Sequence, residues 1–228
     1  MPIFDPLYLL LTIPAVLFSL WAQHRVKSTF AQYSKVGVRS GMSGAEAAAA
    51  IVRASGMQGV SIERHQGYLS DHYDSRAKTL RLSPEVYDGR SISSIAVAAH
   101  EAGHSMQHAT GYAPLALRSQ LVPAVQIGQR LYMWPFVFGL MLHMTGLIWL
   151  GIVCFSAVVI FQLVTLPTEI NASSRAKAVL QSTGIVSGAD EQAGVAKVLD
   201  AAALTYIAAL VASALQLLFM LIRSQQRR

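Results

Sequence analysis

Residues 100–104 read His100-Glu101-Ala102-Gly103-His104, an HExxH pattern inside a stretch that is predicted to be helical. Because an α-helix turns once in about 3.6 residues, the two histidines lie on one face and can bind the same metal ion. Glu101 projects about 100° from His100, which places its carboxylate beside the ion rather than on it. The pattern therefore predicts a zinc site in which Glu101 takes a proton from the metal-bound water, as the general base of a hydrolase.

Catalytic zinc commonly has three protein ligands, so the sequence should supply one more. His108 continues the series, but at a rise of about 1.5 Å per residue it lies about 12 Å from the first histidine, too far to share an ion. The extended metzincin spacing fails because Thr110 occupies its third histidine position. The remaining candidate is Glu169, which follows a plausible helix start at Pro167-Thr168. The alternative interpretation is a carboxylate that merely favours a helix N-terminus.

The composition is too apolar for an ordinary soluble domain, with 53% hydrophobic and 13% charged residues. Long uncharged runs predict an α-helical integral membrane protein with about four transmembrane helices and a small α+β metalloprotease domain at the membrane face. The predicted segments are a transmembrane anchor at 1–23, the metalloprotease domain at 24–118, a transmembrane hairpin at 119–167, a helical segment with the third zinc ligand at 168–200, and a transmembrane helix with a basic tail at 201–228.

Short motifs add detail to the predicted metalloprotease domain. Ser43-Gly44-Ala45-Glu46 predicts a capping box that begins an alanine-rich helix, and Ser91 or Ser93 is expected to cap the HExxH helix. Alternating polar and apolar residues at 60–64 and 79–83 predict a small sheet of two or three strands. An edge strand beside the metal could pair with the extended backbone of a substrate.

The distribution of basic residues predicts the orientation in the membrane. Eleven of the eighteen Lys and Arg lie in residues 24–118, which places this region and the active site on the cytoplasmic face of the inner (plasma) membrane. Two predicted spans separate His104 from Glu169, so both would lie on that face. A full crossing by the last helix would put the C-terminal arginines outside, so either the tail is an exception to the rule or that helix does not cross.

Other partners and sites are disfavoured. The net charge is +6, but no interleaving of basic and aromatic residues supports nucleic-acid binding. Cys154 is the single cysteine, which excludes a disulfide framework and a thiolate metal site. Nothing in the sequence indicates the oligomeric state.

Three blocks of sequence carry a resemblance to a known family. They are Gly67-Tyr68-Leu69-Ser70-Asp71-His72-Tyr73-Asp74, Leu80-Arg81-Leu82-Ser83-Pro84-Glu85-Val86-Tyr87 and Ala98-Ala99-His100-Glu101-Ala102-Gly103-His104-Ser105-Met106-Gln107-His108. Over most of residues 40–210 the chain resembles the bacterial membrane-bound neutral zinc metallopeptidases of the YugP type, and more distantly the HtpX-type gluzincin proteases. The resemblance implies a zincin-like fold with one Zn²⁺ per chain, held by His100, His104 and Glu169, and with Glu101 catalytic.

The segment that begins at Glu169 departs from the family pattern. It reads Glu169-Ile170-Asn171-Ala172-Ser173-Ser174-Arg175-Ala176, where the family typically has Glu-Phe-Asp-Ala-Ser-Arg-Arg-Ala. Ser173 also stands where HtpX-type proteases carry an aspartate. The departure removes an acid that could orient a ligand histidine, but it leaves the ligand itself.

The predicted function is that of a membrane-embedded zinc-dependent endopeptidase acting on peptides or proteins, with membrane proteins among the candidate substrates. His72, Tyr73 and Tyr112 are candidates to stabilise the oxyanion, and His108 and Arg175 are candidates to support the ligands or to contact substrate. The alternative is a catalytically inactive membrane scaffold or partner-binding protein with a structural or absent metal, which the altered segment favours and Glu101 disfavours. Transport is disfavoured because the predicted spans carry hardly any ionisable residues.

Overall fold

The computed structural model describes residues 5–226, which are mostly helical with one small sheet. The elements are α1 (Pro6–Tyr33), α2 (Gly44–Ala54), β1 (Ser61–Arg64), β2 (His72–Asp74), β3 (Thr79–Leu82), α3 (Pro84–Tyr87), α4 (Ile92–Ala109), α5 (Ala113–Leu131), α6 (Met133–Met141), α7 (Thr145–Ser182) and α8 (Ala189–Gln225). They form two compact units. Residues 5–23, 114–167 and 204–226 make the apolar unit, and residues 24–113 and 168–203 make the polar unit.

Three helices of the described chain, α1, α7 and α8, are long and apolar enough to cross a membrane, where the sequence predicted about four. The difference lies in the first helix of the hairpin predicted at 119–167, because the chain before α7 is divided between α5 and the nine-residue α6. The division has a local cause, because Pro135 lacks the N–H that would bond to the carbonyl of Leu131.

Small residues let α5 and α6 pack closely and antiparallel against α7 inside the apolar unit. A Cβ on Gly128 would collide with the carbonyl of Cys154, and a Cβ on Gly139 would lie 2.6 Å from the backbone nitrogen of Ile148. Such close backbone approach is typical of helix packing in membranes, where van der Waals packing replaces the hydrophobic effect as a source of association and small residues permit the close contact.

Within the same unit α1 and α8 run antiparallel along their apolar parts. The ring centroids of Tyr8 and Phe219 are 5.1 Å apart, and the guanidinium of Arg223 pairs with Asp5, which is 8% exposed. Both ends of the described chain therefore lie at the same end of this unit. The ion pair compensates the charge of Arg223 within this unit.

The polar unit contains the sheet, whose strand order is β1-β3-β2. β1 pairs with β3 in parallel and β2 pairs with β3 antiparallel, so the predicted small sheet is confirmed. The capping box is confirmed as well: Ser43 Oγ accepts from the N–H of Glu46 at 3.2 Å, and Glu46 Oε2 accepts from the N–H of Ser43 at 2.7 Å. The core of this unit is built around α4, and the largest fully buried apolar side chains are Ile51, Leu80, Leu82, Ile95, Leu180 and Leu199.

Ser91 caps α4, because its hydroxyl accepts a hydrogen bond from the N–H of Ser94 at 3.2 Å. The other predicted cap, Ser93, is the second residue of the helix and donates its hydroxyl to the carbonyl of Phe30 at 2.8 Å. At the other end α4 stops at Ala109, just before Gly111 adopts a positive φ of 61°. Both ends of the helix that carries the HExxH pattern are therefore defined by local interactions.

Candidate metal centre

The two histidines of the HExxH pattern lie side by side on α4, as the helical spacing predicts. The ring centroids of His100 and His104 are 4.8 Å apart, and the planes of the two rings are nearly perpendicular. Ala98, Ala99 and Ala102 are fully buried around them. Because these neighbours carry only a methyl group, other elements pack close to the helix, and the histidines can meet a side chain from α7.

Glu169 extends from α7 to the two histidines. Its Oε2 lies 3.1 Å from Nε2 of His100 and 3.4 Å from Nε2 of His104, and the residue is 2% exposed. The predicted helix start at Pro167-Thr168 is wrong, because α7 runs without a break from Thr145 to Ser182. Glu169 is therefore far from any helix N-terminus, and the alternative interpretation that it only stabilises one does not apply.

The close approach of α4 and α7 depends on Gly103. A Cβ at this position would lie 2.5 Å from the carbonyl oxygen of Ala172, which is itself fully buried. The glycine inside the HExxH pattern thus determines the distance between the helix that carries two of the ligand candidates and the helix that carries the third.

The donor set fits zinc in number and chemistry. It consists of two imidazole nitrogens and one carboxylate oxygen, which all lie within 4.8 Å of one another. Among residues 5–226 it is the single group of three or more His, Cys, Asp or Glu side chains that could hold a metal ion. Ligands at zinc bond lengths of about 2 Å in a tetrahedron lie about 3.3 Å apart, which matches the two histidine–glutamate distances. His108 is not part of the group, as its distance along the helix predicts.

The remaining nitrogen of each histidine has a neutral partner. Nδ1 of His100 lies 3.1 Å from the hydroxyl of Ser173, and Nδ1 of His104 lies 3.0 Å from Oε1 of Gln107. Both Nε2 atoms are thereby left facing Glu169. Sequence reasoning missed Gln107, although its position three residues after His104 places it on the same helical face.

Negative charge accumulates around the ligand group. Burial would lower the pKa of His104, but the hydrogen bond to Glu169 and the charges of Glu101 and Glu169 raise it above its usual value. Burial raises the pKa of Asp71. Hydrogen bonds from Ser83 oppose this rise, and the negative charge of Glu101 adds to it. This arrangement favours a divalent cation at the centre.

The other predicted site residues are not members of the ligand group, and each makes contacts of its own in the polar unit. The hydroxyl of Tyr73 lies 2.9 Å from Nδ1 of His108, beside a cavity of about 140 Å³. Nδ1 of His72 lies 2.9 Å from the carbonyl of Ser70. The guanidinium of Arg175 lies over the ring of Tyr112, 5.8 Å from its centroid. An oxyanion role for His72, Tyr73 or Tyr112 stays a prediction.

Replacing Gly103 with alanine is expected to destabilise the protein by about 1–3 kcal/mol, as overpacking does, and to weaken zinc binding. The added methyl group must push α7 away from α4 and carry Glu169 with it. Thermal unfolding in detergent and zinc affinity measure the two effects. Gly146→Ala is the matched control, because a Cβ there meets nothing within 4 Å. Equal stability and zinc affinity in both variants would contradict the expectation.

Comparison with known proteins also points to zinc. The family described as "Putative neutral zinc metallopeptidase" matches residues 8–225. The chain is also similar to the "Putative membrane protease YugP" of Bacillus subtilis (strain 168), with 49% identity over 212 residues that cover 93% of this chain and 94% of the relative. None of the solved structures matches the chain.

Proposed function

This chain belongs to the family described as "Putative neutral zinc metallopeptidase", and we propose that it is a membrane-embedded zinc-dependent endopeptidase. One observation carries the proposal: ligand atoms of His100, His104 and Glu169, from two different helices, lie within 4.8 Å of one another. Glu101 follows the first histidine directly, and it is not a member of that group. A purely structural zinc site has no use for a carboxylate in that position.

Each residue of the centre has a distinct chemical part. Nε2 of His100, Nε2 of His104 and the carboxylate of Glu169 would hold the ion. Zinc, when bound, supplies a Lewis acid that polarises the scissile carbonyl and lowers the pKa of water towards neutrality. Glu101 accepts a proton from the attacking water and transfers it to the nitrogen of the leaving amine as the C–N bond breaks.

The sheet offers a place for the substrate backbone. β2 is an edge strand that pairs only with β3 among the described strands, and it packs against α4. An extended peptide could add to this edge through main-chain hydrogen bonds, which would lay a peptide bond across the metal helix. This mode of binding selects an unfolded or extended segment of a protein rather than a folded surface.

The proposed location is the plasma membrane, with several crossings and the centre on the cytoplasmic face. Three candidate spans support the location in a membrane, and so does the relative, whose name describes a membrane protease. The cytoplasmic placement of the centre is supported by a basic cluster after the apolar part of α1, which consists of Arg25, Lys27, Lys35 and Arg39.

An inactive scaffold is less well supported by the geometry. The observation that favours a scaffold is the altered segment after Glu169, which lacks an acid and an arginine of the family pattern. The hydroxyl of Ser173 nevertheless contacts Nδ1 of His100, and the amide oxygen of Gln107 contacts Nδ1 of His104. Orientation of the ligands therefore does not need an acid in that segment.

The proposal is tested on protein purified in detergent without chelators, with fluorescently labelled casein as an unfolded substrate. We expect about one zinc per chain, loss of cleavage when 1,10-phenanthroline removes it, and recovery when zinc is added back. Cleavage that persists in the zinc-free protein, or a protein that does not bind zinc, would overturn the proposal.

A further inference from the structure

Gln107 is a completely buried polar side chain that contacts one ligand candidate and the neighbour of another. It is 0% exposed, and its Oε1 lies 3.0 Å from Nδ1 of His104. Its Nε2 donates to the carbonyl oxygen of Thr168 at 2.7 Å and to Oδ1 of Asn171 at 3.0 Å. Thr168 immediately precedes Glu169, so one amide connects both sides of the proposed zinc site.

The partners of Gln107 permit only one orientation of its amide. The Thr168 carbonyl can only accept, so the NH₂ group must point towards it. Arg175 Nε donates to Oδ1 of Asn171 at 2.9 Å, and because a guanidinium has no acceptor, Asn171 also presents its oxygen to Gln107. The oxygen of Gln107 is thus directed at His104, whose Nδ1 must carry a proton. In the neutral ring, which is the form that binds a metal, Nε2 then keeps its lone pair.

The contact at the other histidine lacks this property. The hydroxyl of Ser173 can either donate to or accept from Nδ1 of His100, so it is compatible with both tautomers. Of these two contacts, the one made by Gln107 both fixes the tautomer of a ligand histidine and comes from a side chain that bonds to the backbone beside Glu169.

We infer that Gln107 is a positioning residue for the metal, which fixes the His104 ring with Nε2 towards the ion and holds the backbone next to Glu169. The inference rests on the proposed zinc site. Residues of this kind typically contribute about 10- to 100-fold to metal affinity.

Two variants separate positioning from a merely structural role. Gln107→Met keeps the volume but removes both hydrogen-bonding functions, whereas Gln107→Glu keeps an oxygen acceptor for His104 and buries a charge. We expect zinc affinity, measured by competition with a chelating dye, to fall about 10- to 100-fold in Gln107→Met and less in Gln107→Glu. The melting temperature of the zinc-free protein should rank the other way, because a buried charge is costly.

Opposite rankings of zinc affinity and melting temperature would support the inference, whereas affinities that follow the melting temperatures would overturn it. If Gln107→Met cannot be purified, Gln107→Glu is compared with the control Ser93→Ala, because Gln107→Glu has also lost the hydrogen bond to the backbone beside Glu169. Zinc affinity that falls in Gln107→Glu but not in the control supports positioning, and wild-type affinity in Gln107→Glu overturns it. Ser93→Ala is the control, since it removes another buried hydrogen bond from α4 to a backbone carbonyl and touches no ligand candidate. The wild type distinguishes the two proposals, because failure of the unmodified protein to bind zinc contradicts the proposed function itself.

Discussion

Replacing Glu101 with glutamine is expected to lower peptide hydrolysis by about 100- to 10,000-fold, the usual contribution of a general base, and to leave about one zinc per chain. Glutamine has nearly the same size and shape but cannot accept a proton from water. Zinc should stay because Glu101 lies outside the group formed by His100, His104 and Glu169. Cleavage of labelled casein and elemental analysis of the same preparation measure the two quantities.

The matched control is Glu85→Gln, which makes the same chemical change at an exposed position on α3 of the polar unit. It should cleave casein at the wild-type rate. Full activity of the Glu101 variant would show that another group accepts the proton. Loss of zinc from that variant would instead show that Glu101 holds the ion, and both results contradict the proposed role.

The HExxH pair could be predicted because a helix repeats locally, and nothing outside residues 92–109 is needed to align His100 with His104. Glu169 could be proposed from chemistry, since zinc needs a third ligand and few acids follow. Gln107 could not, because its role depends on a carbonyl 61 residues away in the sequence. Contacts of this kind arise only when two helices pack, and no local pattern records them.

The apolar unit shows the same limit. Hydropathy identified the apolar segments, but it could not reveal that a proline after Leu131 would divide one of them into α5 and α6. Arg223 looked like a violation of the charge rule when it was considered alone. Its partner Asp5 lies at the opposite end of the sequence and becomes a neighbour only when α1 and α8 pack antiparallel.

Replacing Glu169 with alanine is expected to reduce the zinc content from about one per chain to near zero after dialysis against a weak chelator. Two histidines from one helix remain, and they lack the third donor that a catalytic zinc site ordinarily has. Casein cleavage should be lost together with the metal. Elemental analysis of wild type and variant, purified side by side, measures the effect.

Glu169→Gln keeps the volume of the side chain and one oxygen but removes the negative charge, so it should bind zinc more weakly than wild type and more tightly than Glu169→Ala. Glu191→Gln is the matched control, because Glu191 is another carboxylate of the polar unit that is 2% exposed, and it accepts from the backbone N–H groups of Arg39 and Ser187. Its loss should lower the melting temperature without changing zinc content. If Glu169→Ala retained a full complement of zinc, the third ligand would have to be another residue, and the short distances from Glu169 to His100 and His104 would then reflect an ion pair within the protein core.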